Sequence, residues 1–217
     1  MTLLTDEPAS ALWFAGGVAL FALQAHQASR FLRTHDGPPL TWPLTIPVVL
    51  IYLLTIGWLL MQPPALPQPA VLRACCLLVL AIPLTLTDLR CQWLPMRYTV
   101  LFWLGGLVSA ALPGGIAAPV SAITASVVAF VLTGAVRWLV NLYRHEERIG
   151  LGDVYLMAGL CAWLPWRIAC YAAAGGLLLC CLCAAVTRQP SKPFAPALFG
   201  YLCGVCLFFP QQLAGAL

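Results

Sequence analysis

Eight apolar runs, parted by short connectors, leave this chain almost no polar stretch from which to build a soluble domain. They cover Ala11–Ala28, Trp42–Met61, Ala70–Thr87, Tyr98–Leu112, Ile116–Val140, Val154–Trp166, Ile168–Val186 and Ala197–Leu213. A helix crosses the hydrocarbon core of a bilayer with about 20 apolar residues. Lipid offers no hydrogen-bond partners, so a spanning segment must satisfy its backbone internally, as a helix does. The predicted fold class is all-α: a polytopic membrane helix bundle of about eight transmembrane helices, forming a single domain over residues 1–217. Composition agrees with it. Apolar residues make up 62% and charged residues 8%, where a soluble domain carries about 25% charged residues.

Basic residues set the expected orientation, because Lys and Arg stay on the cytoplasmic side of short loops. With the N-terminus outside, that side holds Arg30, Arg33, Arg90, Arg97, Arg137, Arg144, Arg148, Arg188 and Lys192. Only Arg73 and Arg167 fall on the other. The expectation is N-out and C-out. The connectors Gln62–Pro69 and Pro113–Gly115 carry no charge and are turn punctuation in Pro and Gly. The sixth run makes a helix only about 20 Å long, which implies a thinned bilayer or a sunken hairpin. The residues before Ala11 include Asp6 and Glu7 but no Lys or Arg. A cleavable signal peptide has a positive start, so the first run is expected to be retained as a span.

The ten cysteines do not argue for zinc. Cys180 to Cys183 and Cys203 to Cys206 have C-x-x-C spacing, but they lie in apolar runs without the polar neighbours a metal site needs. They are expected to pack as small hydrophobes. No metal and no cofactor is predicted. No basic run interleaves with aromatic residues, so nucleic acid is not an expected partner; lipid is.

Seven residues are acidic. Asp6, Glu7, Asp36, Glu146 and Glu147 lie in polar connectors or at the terminus, where water solvates them. Asp88 and Asp153 differ: one ends the third apolar run and the other opens the sixth, on the same side. An ionisable group at a lipid boundary is costly and is a functional candidate by default. Two carboxylates close together cannot both ionise cheaply and share one proton. The ionised member can take a proton from water while the protonated member donates to a scissile carbonyl, which is peptide hydrolysis without a metal. The alternative is an N-cap at Asp153 and a plain interfacial charge at Asp88. On these residues alone the two readings stand level. Gly150 and Gly152 form G-x-G-D with Asp153 and allow close backbone approach, which binding a substrate as an extended strand requires.

Three segments resemble the type IV prepilin peptidases, the G-x-G-D aspartyl proteases of the bacterial inner membrane. Asp88-Leu89-Arg90-Cys91-Gln92-Trp93-Leu94-Pro95 is similar to the family's Asp with six residues and a Pro that begins the next helix. The run from Gly150 to Leu164 resembles G-x-G-D-V-K-L-x-A-A-L-G-A-W-L, with Tyr155 in place of Lys. Lys192-Pro193-Phe194-Ala195-Pro196-Ala197-Leu198-Phe199-Gly200 resembles the family's P-F-G-P segment, with Ala195 replacing a Gly. The likeness covers about residues 70–217. It implies that Asp88 and Asp153 are catalytic, with Gly150, Gly152 and Pro95 shaping the site. It implies an active site facing the cytoplasm, where the basic leader of a prepilin or pseudopilin is removed; Glu146 and Glu147 are candidate contacts for that leader. Long members of the family carry a zinc-binding C-x-x-C insert between the first two spans, associated with N-methylation. Ser29–Thr41 here contains no Cys, which implies a short form that cleaves without methylating.

Presenilin and signal-peptide-peptidase proteins also use G-x-G-D, and Pro196-Ala197-Leu198 matches their P-A-L superficially. The D-x6-P element around Asp88 fits the prepilin peptidases better. A proton-coupled transporter would place its acids near the midplane, in paired halves, whereas Asp88 and Asp153 sit at one edge. A non-catalytic pilus-assembly protein would tolerate loss of either Asp.

Overall fold

The computed structural model describes residues 7–61, 68–112, 118–147, 149–188 and 192–208, with side chains from residue 18 onward except at 68 and 69. Asp6, Arg148, the Pro-rich stretch 62–67 and residues 113–117 lie outside the described residues, as does the end of the eighth run. Eight α-helices account for the regular structure among them: α1 Glu7–Thr34, α2 Trp42–Met61, α3 Gln68–Cys91, α4 Met96–Ala111, α5 Pro119–Arg144, α6 Leu151–Trp163, α7 Trp166–Thr187 and α8 Phe194–Phe208. The chain is an all-α membrane bundle. Trp42–Met61, Ala70–Cys91, Pro119–Arg144 and Trp166–Thr187 are long and apolar enough to cross a membrane, and α6 and α8 are shorter apolar helices.

Helix ends outrun the apolar runs where polar residues carry the backbone ladder on. Thus α1 continues through Arg30 and Arg33 to Thr34. Likewise α3 runs past Asp88 to Cys91, where Gln92 turns into the left-handed region at φ 56°. Asp88 therefore stands in the last turn of a helix rather than beyond its end. At α6 the helix opens on Leu151, so Asp153 is inside its first turn and Gly150 is the N-cap. This differs from the N-cap alternative for Asp153: that residue occupies the third helical position.

Helix α3 is the axis of the bundle. It packs against α1, α2, α4 and α8, and 67% of its apolar window is inside the protein, against 11% for α5 and 17% for α7. Leu78, Ile82, Leu84 and Leu86 of α3 are fully buried beside Phe102 of α4 and Leu198 and Phe199 of α8. By contrast, α5 exposes Val127, Val128, Val131, Leu132 and Val136. A face this apolar suits lipid and not water.

Several polar side chains inside the bundle pair across helices, while others, such as Thr55 and Thr87, donate to a carbonyl of their own helix. The Tyr52 and Thr85 hydroxyls share a hydrogen bond of 2.6 Å, and Trp163 Nε1 donates to the Phe102 carbonyl at 2.7 Å. Arg73, one of the two basic residues assigned to the outer side, donates to the Leu112 carbonyl at 3.3 Å. It thereby places a cation on the C-terminal end of α4, where the helix dipole favours it.

The α4–α6 seam depends on small residues. A Cβ on Gly106 would lie 2.8 Å from the Ala162 Cβ and 3.0 Å from its carbonyl carbon. Close helix approach of this kind drives association in lipid, where no hydrophobic effect separates helix from tail. Gly106→Val is expected to destabilise the protein by about 1–3 kcal/mol through overpacking, read as a lowered thermal midpoint in detergent. An unchanged midpoint counts against a tight seam.

Candidate active site

Three helix ends converge where Asp88 and Asp153 lie. Asp88 is brought by the last turn of α3 and is 4% exposed. The Ala195 backbone N–H, at the start of α8, donates to Asp88 Oδ2 at 2.8 Å, and the Phe194 N–H bonds the same carboxylate. Orphan N–H groups at a helix start carry partial positive charge and hold an anion well. Asp88 thus accepts at the start of α8 from Ala195, 107 residues away in the chain.

Asp153 is half-buried in the first turn of α6 and accepts a hydrogen bond from the Gly150 N–H. A third-position acid reaching back to the N-cap amide is the returning half of a capping box. Asp153 stands near enough to Asp88 for its charge to be felt there. Each acid is therefore held by a backbone N–H, Asp88 by Ala195 and Asp153 by Gly150.

The two glycines stand in different surroundings. At Gly152 a Cβ would run into Leu94, meeting its Cβ and standing 2.8 Å from its carbonyl oxygen. The start of α6 therefore lies directly on the connector that leads from Asp88 to α4. At Gly150 the backbone is extended, with φ −72° and ψ 151°, and the nearest atom to a Cβ is Asp153 Oδ2 at 3.4 Å. That is ordinary contact. Pro95 is buried and is the N-cap of α4, with its carbonyl accepting from the Tyr98 N–H at 2.9 Å. It closes the Asp88–Pro95 connector that Gly152 rests on.

Tyr155 lies in a cluster with Trp103 and Phe130, at ring distances of 5.8 and 5.3 Å. An aromatic ring, where the family pattern has Lys, joins α6 to α4 and α5. Glu147 is bonded to Arg137 at 2.7 Å, and Glu146 is exposed in the same connector.

Two features were not read from the sequence. The Lys192–Gly200 segment acts here through backbone N–H groups, which no side chain advertises. Cys180 of α7, grouped with the packing cysteines, lies near both carboxylates, and its sulfur is 3.7 Å from the Lys192 carbonyl and 3.9 Å from that of Pro193.

Fold and site together define a class: helical membrane proteins with a carboxylate pair held at one end of the bundle. Residues 74–188 match the type IV leader peptidase family, and the chain belongs to that family. Among curated proteins it is 30% identical to the type 4 prepilin-like proteins leader peptide-processing enzyme of Escherichia coli O78:H11, over 61% of this chain and 49% of the relative. It is 32% identical to a prepilin leader peptidase/N-methyltransferase of Burkholderia pseudomallei over 46% of this chain and 32% of the relative. With a protein of that name from Pectobacterium carotovorum it shares 26% identity over 74% of this chain and 57% of the relative. The chain spans about half, or less, of the length of the first curated relatives it matches. No solved structure matches it significantly.

Proposed function

We propose that this protein is a membrane-embedded aspartyl endopeptidase that removes the basic leader of type IV prepilins or pseudopilins at the cytoplasmic face of the bacterial inner membrane. The observation that carries the reading is that Asp88 and Asp153, from separate helices, stand at one end of an apolar bundle, with the charge of Asp153 felt at Asp88. Two coupled carboxylates share a proton. The ionised one takes a proton from the attacking water as the protonated one donates to the peptide carbonyl oxygen, and the tetrahedral adduct then collapses with proton return to the leaving amine. The Ala195 and Gly150 N–H groups orient the carboxylates without using up their remaining lone pairs.

The basic residues support a cytoplasmic site. Arg90 bonds the Pro39 carbonyl at 3.0 Å and Arg97 bonds the Tyr98 hydroxyl at 2.7 Å, both at the end of the bundle that carries the acids. Arg73 pairs with α4 at the opposite end. An N-out, C-out chain follows from that asymmetry.

Co-expression with candidate prepilins and pseudopilins tests the reading. A leader-sized shift on a gel is expected for at least one, and no shift with any of them overturns it. The connector between α1 and α2, residues 35–41, holds no cysteine, so the new N-terminus is expected as a free amine by mass spectrometry. A methylated terminus made by this chain alone would overturn that part.

A further inference from the structure

We propose that Asn141, together with Arg137, is a positioning residue for Asp153, acting through a single peptide plane; the inference rests on the peptidase reading above. Arg137 and Asn141 stand one turn apart on α5, so they share a face. The Asn141 carboxamide binds both polar groups of the Ile149 backbone. Its Nδ2 donates to the Ile149 carbonyl at 3.2 Å, and its Oδ1 accepts from the Ile149 N–H at 3.1 Å. Arg137 Nε donates to the same carbonyl at 3.1 Å, while Arg137 Nη2 holds Glu147 Oε1 at 2.7 Å.

The carbonyl of Ile149 and the N–H of Gly150 belong to one amide, whose atoms lie close to a plane. Asn141 and Arg137 grip the oxygen end of that amide, and the Asp153 carboxylate accepts from the hydrogen end. Two donors on the oxygen orient the plane, and chained hydrogen bonds polarise one another. The direction in which Asp153 presents its carboxylate to Asp88 is therefore set from α5, through the Ile149–Gly150 amide. A gap in register here matters because reacting groups lose rate steeply when misplaced by about 1 Å.

The test compares wild type with Asn141→Leu, which keeps the size of the side chain and removes both hydrogen bonds. In cleavage of a prepilin by purified protein, Asn141→Leu is expected to lower kcat by about 10- to 100-fold with KM within about twofold. Amide hydrogen exchange of the 149–153 backbone, read without substrate, is expected to speed up by about tenfold or more, because a protected N–H loses its fixed plane. Should Asn141→Leu not fold, Arg137→Lys keeps the charge but loses the Nε donor, and its kcat is expected to fall by a smaller factor with KM held. A kcat within twofold of wild type, a loss confined to KM, or unchanged exchange at 149–153 overturns the proposal. A wild-type protein that cleaves no prepilin overturns the peptidase reading instead, and the exchange measurement still decides whether Asn141 holds the plane.

Discussion

Asp88→Asn and Asp153→Asn are each expected to reduce prepilin cleavage by about 10³-fold or more, since each removes a group that gains or loses a proton in the proposed reaction. Asparagine is a clean replacement in this setting. At position 88 its Oδ1 can still accept from the Ala195 N–H, and at position 153 from the Gly150 N–H. The hydrogen bonds that hold the start of α8 and the start of α6 survive, so the thermal midpoint in detergent should move little. What is lost is the shared proton. The measurement is a cleavage time course beside a melting curve on the same preparation. Cleavage at more than about a tenth of the wild-type rate by either variant would remove that acid from the proton-transfer role, given the 10²–10⁴-fold usual for such groups. Loss of rate accompanied by loss of fold would show that the carboxylate charge itself holds α8 in place.

The second large effect separates the two glycines of the G-x-G-D run. Gly152→Ala is expected to lower kcat by about 10²-fold, because the added Cβ must push the start of α6 off Leu94 and carry Asp153 with it. The obstacle includes the Leu94 carbonyl oxygen at 2.8 Å, which is backbone and cannot swing aside. A stability loss of about 1–3 kcal/mol accompanies it, the usual result of overfilling a packed contact. Gly150→Ala is expected to cost less than about fivefold in rate, since an extended residue with ordinary contacts accepts a Cβ. Measuring both variants with one substrate decides the matter. Equal losses would mean that the glycines act through something other than the Gly152–Leu94 contact.

Much of the bundle is legible in hydropathy. The second apolar run, Trp42–Met61, coincides with α2 at both ends. It does so because the apolar character and the helical backbone stop together, beside prolines at Pro38, Pro39, Pro63 and Pro64. Elsewhere they part. The helix at Asp88 runs one turn further than its apolar run, and α6 starts three residues ahead of its own. Hydropathy reports which side chains tolerate lipid, whereas a helix ends where its backbone hydrogen bonds find another partner.

The sequence by itself determined the class of fold, the two acids that stand apart from the other five, and the glycine run that opens α6. Each is a property of residue type and order along one segment. Only the tertiary structure decided what holds the acids. Asp88 is met by the backbone of Ala195, Gly152 lies on Leu94, and Asn141 reaches the peptide ahead of Gly150. These contacts run between distant segments, and most of them end on backbone N–H and carbonyl groups. Every residue except proline carries both, so no residue type marks the partner, and only the packing of α3, α5, α6 and α8 selects which amides arrive.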